Sequence, residues 1–186
     1  MDRTQRKLVH RLKLALLAPL RRFARRQDGA AAIEFGLVLL PFLALLFAII
    51  QTAIVFFASQ ALETAVADSA RLILTGQAQT ANYNQSAFKN AVCTKIYGLF
   101  DCANGIQVDV RTFSSFAGIS LTTPIDGNGN LINNFVYQPG GPGDIVVVRL
   151  MYEWPIYMQL FNLNLANMAG NKRLLVATAA FRNEPY

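Results

Sequence analysis

Few side chains in this 186-residue sequence stand where they could do chemistry. The most informative is Glu34, in the string Gly29-Ala30-Ala31-Ala32-Ile33-Glu34-Phe35, at the threshold of a long apolar run. A carboxylate there is a functional candidate that calls for a cationic partner. The plainer reading is an anion placed near a helix N-terminus, where the helix dipole favours it. Cys93 and Cys102 are the two cysteines; redox work needs a thiolate beside a charge partner, usually in C-x-x-C, and that spacing is missing. Asp126-Gly127-Asn128-Gly129-Asn130 opens like a calcium loop, but Leu131 replaces the required Gly and Tyr137 the required Glu. A turn built on the left-handed preferences of Asn and Gly accounts for it. The single histidine, His10, lies in a basic stretch, and Asp68 with Arg71 reads as a solvated helix face. Without a catalytic triad, a Cys–His pair, a metal cluster or a phosphate loop, no enzyme, metal or cofactor is expected.

Charge places these residues. The formal charge is +6 with only 15% charged residues, and the pI of 9.6 invites a nucleic-acid reading. Residues 1–28 hold nine basic side chains against Asp2 and Asp28, a charge of +7; the other 158 residues hold eight basic and nine acidic, a charge of −1. From Phe35 to Leu62 there follow 28 residues without a charge, longer than the roughly 20 that span a bilayer. The basic stretch therefore works as a topology signal, placing the N-terminus in the cytoplasm and the rest across the membrane. No aromatic platform accompanies it, so nucleic acid is not an expected partner. Leu8, Leu12, Leu16, Leu20 and Phe23 recur at helical spacing within it, as in a helix lying on an anionic leaflet; a solvated basic tail is the alternative. A cleaved secretory signal has only about 7–15 apolar residues, and Ala65-Val66-Ala67 lies beyond a run twice that long.

The elements that must carry these groups can be read in turn. A continuous helix is predicted from Ala30 to Thr75, with Pro41 as a tolerated kink and Gly76 as its stop. Past the apolar run, Leu62, Val66, Ser69, Ala70 and Ile73 form one face. A second helix is predicted from Ser86 to about Gly98 on the spacing of Phe88, Val92, Ile96 and Leu99. If that helix ran on, Cys93 and Cys102 would lie about 13 Å apart, so a bond requires it to end and fold back. An oxidising compartment favours the bond as a structural staple. IQVDVRTF, DIVVVRLMYEW and RLLVATAAFR read as strands, with residues 114–143 a Gly- and Pro-rich loop of the kind that carries binding surfaces. The apolar segment Ile156–Met168 either bends over the sheet edge or makes a subunit contact. The fold class is α+β: a long N-terminal transmembrane helix continuing into a head with a second helix and a small antiparallel sheet.

The order of basic leader, Gly29, Glu34 and long apolar helix resembles the processing site of type IV prepilins and pseudopilins. In those proteins the leader is cut after its Gly and Glu is the fifth residue of the mature chain. The resemblance implies scission between Gly29 and Ala30, with Glu34 fifth and Phe35 where Tyr is more usual. It implies too that Glu34 neutralises the new α-amine of a neighbouring subunit during assembly. ETAVADSARLILTGQ, the cysteine pair, GDIVVVRLMYEWP and FRNEPY are similar to TadE-like pseudopilins, minor components of the tight-adherence (Flp) pilus apparatus. The implied organisation is a cytoplasmic leader of residues 1–29, a transmembrane helix over 30–62 and a periplasmic pilin-like head over 63–186. The implied partners are a prepilin peptidase, other pilin-like subunits, the inner-membrane assembly platform and the lipid bilayer. The contrasting reading is an uncleaved single-pass protein whose periplasmic head binds or scaffolds, which requires neither Gly29 nor Glu34.

Overall fold

The computed structural model describes residues 27–96, 98–157 and 164–186. The amphipathic pattern of the leader and the middle of the Ile156–Met168 segment lie outside them. Helix α1 runs Gln27–Leu74, unbroken through Pro41. The chain divides into two compact units, residues 1–47 and 48–186.

In the first unit the described chain is helix alone. Ile33, Phe35, Leu37, Val38, Leu40 and Phe42 are all more than half exposed, so apolar side chains point outward on every side. A helix that is apolar all round has lipid or protein as its solvent, not water. Among the described residues this is the one helix long and apolar enough to cross a membrane, with mean hydropathy 2.6 in its best window.

In the second unit α1 becomes amphipathic. Val55, Ala58, Leu62, Ala65, Val66, Ser69, Ala70 and Ile73 are buried at spacings of one to four residues, while Glu63, Asp68 and Arg71 are exposed. The buried stripe is the expected one, and it reaches further back: Val55 and Ala58, inside the uncharged run, pack in the same cluster as the sheet. Gly76, at φ 75°, ends the helix in the left-handed conformation that glycine adopts most easily. A single turn, α2 (Gln77–Thr80), leads to α3 (Gln85–Cys93), which Asn84 caps by accepting a hydrogen bond from the Ala87 amide at 2.8 Å. Helix α3 is shorter than predicted. Ile96 is buried beyond its end, so the spacing that suggested helix as far as Gly98 belongs to a turn.

Three strands, β1 (Gln107–Phe113), β2 (Ile145–Pro155) and β3 (Lys172–Arg182), form an antiparallel sheet in the order β1-β2-β3. One face carries Val108, Val110, Val146, Val148, Leu150, Leu175 and Ala177 into the core shared with the helices. The other face is covered by the long loop. Ile125, Leu131 and Phe135 of that loop pack on Met151, Met168 and Leu174. Strand β2 is thus buried on both faces, which explains its near-continuous apolar run. The loop also lies along the open edge of β1, where Val110 donates to the Val136 carbonyl at 2.8 Å and accepts from Gln138 at 2.9 Å.

Candidate functional site

Gly29, Ala30, Glu34 and Phe35 all fall in the first turns of α1. Ala30 and Glu34 are one turn apart, so an amine created at Ala30 and the Glu34 carboxylate share a helix face. Glu34 and Phe35 are exposed, and the ion pairs among the described residues do not involve Glu34. Gly29 has open space where a side chain would go. The helix here is sequence-local: alanine has the highest helix propensity, and glycine is the weak point, by about 1 kcal/mol.

Cys93 and Cys102 are bonded, with their Cα atoms 5.8 Å apart. The bridge ties the end of α3 to the segment returning toward β1. Phe100 in that segment stacks edge-on against Tyr152 at 4.9 Å and Trp154 at 5.9 Å, and Lys89 of α3 donates to the Ala103 carbonyl at 2.9 Å. Asp126 spends its carboxylate on the loop's own backbone, accepting from the Asn128 and Asn130 amides at 2.9 and 2.8 Å. Gly129 holds φ 81°, so the string is a turn of the Asx type.

The polar feature that periodicity did not single out lies on the loop-covered face of the sheet. Asp109 of β1 stands directly opposite Arg149 of β2. Its side chain is 1% exposed, and it accepts from Arg149 Nη2 at 2.5 Å and Nε at 3.1 Å, from Arg111 Nε at 3.0 Å and from the Val136 amide at 3.0 Å. Burial by itself would raise this carboxyl's pKa. Hydrogen bonds from Arg149, the Val136 amide and Arg111 outweigh that and hold it below the usual carboxylate range. The signal in the sequence was Arg149, a cation in the middle of the apolar run VVVRLM. A buried cation needs a partner, but nothing local names Asp109, 40 positions earlier.

A family model described as TadE-like protein matches residues 29–71. The chain carries a TadE-like segment. No curated protein and no solved structure matches the chain. The TadE-like segment begins at Gly29 and ends within the buried stripe of α1, so it covers the helix and none of the sheet.

Proposed function

We propose that this protein is a minor pseudopilin of a tad (Flp) pilus apparatus, cut after Gly29 by a prepilin peptidase and acting in pilus assembly, adherence or secretion. The observation that carries the reading is the TadE-like match starting at Gly29, directly after the +7 leader and five residues before Glu34. In this reading residues 1–29 are a cytoplasmic leader, 30–62 contain the membrane-spanning helix and 63–186 form a periplasmic head. Val55 and Ala58 already belong to the core of that head. The inner membrane holds the protein as a single pass, with the assembly platform and neighbouring pilin-like subunits beside it. Its role is non-catalytic.

The chemistry follows from the helix. Peptidases act on extended backbone, and a glycine at the cut lowers the cost of unwinding the first turn. Scission creates an α-amine on Ala30, one turn from Glu34, in a segment where an unpaired charge is costly. Glu34 then neutralises the amine of an adjacent subunit as apolar helices pack side by side.

Co-expression with a prepilin peptidase followed by N-terminal sequencing tests the cut. A start at Ala30 is expected; an intact Met1, or a start elsewhere, overturns the processing claim and favours the uncleaved anchor. Glu34→Ala is expected to leave cleavage intact and to impair piliation. Normal piliation in that variant removes the role assigned to Glu34.

A further inference from the structure

We propose that Arg111 and Arg149 form a binding site for a single small oxyanion, a phosphate or carboxylate group, on the loop-covered face of the sheet. Two guanidiniums here share one carboxylate. Asp109 is the acid within ion-pair distance of either among the described residues, which leaves a net positive charge. Asp109 cannot offset more: it already accepts from both arginines and from the Val136 amide, which fills the sites a carboxylate offers.

The donors are not exhausted. An arginine carries five N–H groups in a rigid fork. Arg149 commits three of them, two to Asp109 and one to the Thr122 carbonyl at 3.1 Å. Arg111 commits two, one to Asp109 and one to the Asn134 carbonyl at 2.8 Å. The remaining five have no partner among the described residues. Arg149 has a side chain only 8% exposed, so its unspent donors cannot all turn to bulk water.

A small cavity lies beside both arginines. It measures about 70 Å³ and is lined by Arg111, Arg149, Ser120, Thr122, Asn134 and Ile132, with Leu121 and Pro124 closing it. That volume has room for one small oxyanion. Ser120, Thr122 and Asn134 are neutral polar residues, and no acidic residue lines the space. Planar forks with spare donors beside a polar, oxyanion-sized cavity match the geometry by which arginine recognises phosphate and carboxylate. Asp109 here is a positioning residue: it holds both guanidiniums side by side and aims them.

The test uses the full chain in a neutral detergent. Inorganic phosphate and acetate are each titrated calorimetrically at matched ionic strength in a chloride background. Saturable one-to-one binding of either anion is expected, and whichever binds more tightly assigns the class. Arg111→Gln removes the more exposed fork without touching the Asp109–Arg149 pair and is expected to weaken binding at least about tenfold, the loss of one or more charge-assisted hydrogen bonds. Ser120→Ala, which leaves every charge in place, is expected to weaken it by a smaller factor while melting like the wild type without anion. Absence of saturable binding by the wild type overturns the proposal. So does wild-type affinity in both variants.

Discussion

Asp109→Ala is the perturbation that most sharply examines the packing of this protein. Asp109 is buried at 1% exposure and is the counter-charge to Arg149, whose side chain is 8% exposed. Removing one member of a buried ion pair costs about 3–5 kcal/mol, because the other charge is left without compensation. Two features place the expected loss in the lower part of that range. Arg149 keeps its bond to the Thr122 carbonyl, and Arg111, at 32% exposure, recovers water. Against them, the Val136 amide loses its acceptor. The expected cost is about 3–4 kcal/mol, which for a unit of this size lowers the melting temperature by roughly 10–20 °C. Thermal unfolding followed by circular dichroism of the full chain in detergent reads it. Arg149→Met costs less, because Asp109 keeps Arg111 and the Val136 amide as donors. The double variant costs much less than the two losses together, since neither charge remains, and the coupling amounts to at least about 2 kcal/mol. The same pair sets an acid limit. Because the native Asp109 pKa is lowered, its stabilisation is fully present above the unfolded value near 4 and is lost as pH falls through the lowered native one. The double variant therefore loses less stability than the wild type as the pH falls below about 4. Additive single losses, within about 0.5 kcal/mol, would refute the reasoning.

Two further outcomes follow from local geometry. Reduction of Cys93–Cys102, or replacement of both by alanine, is expected to lower stability by about 2.5 kcal/mol, the chain-entropy value for a loop closed over nine positions. Equal melting of the oxidised and reduced protein would contradict it, and limited proteolysis should find new cuts within residues 94–105. Gly76→Ala places a Cβ 2.4 Å from the Tyr186 ring at φ 75°, so a loss of about 1–3 kcal/mol is expected. In a Tyr186→Ala background the same substitution should cost only about 1 kcal/mol, the backbone share; equal costs in both backgrounds would show that the ring is not the obstacle.

The candidate processing site is a proposal read from local order in the sequence. Gly29, Ala30, Glu34 and Phe35 derive their meaning from order along the chain, and the fold adds only that they share the first turns of α1. Periodicity likewise located the strands to within a residue or two, the stripe Leu62–Ile73 and the stop at Gly76, since each reflects contacts repeated every few residues. The spacing of Phe88, Val92 and Ile96 carries the helix past its observed end at Cys93, because burial alone cannot tell a helix from a turn.

Tertiary structure decided two matters. The uncharged run Phe35–Leu62 reads as one segment because lipid and a protein core accept the same side chains. Only packing assigns Val55 and Ala58 to the core around the sheet. And Asp109, alternating with Val108 and Val110, reads as a solvent-facing residue until the 114–143 loop is laid across that face. Its pairing with Arg149 depends on strand register across 40 positions, which local pattern does not encode. From the sequence alone came the charge partition, the apolar helix and the proposal of a processing junction; from the fold came the buried charges, because burial on that face is created by chain brought in from a distance.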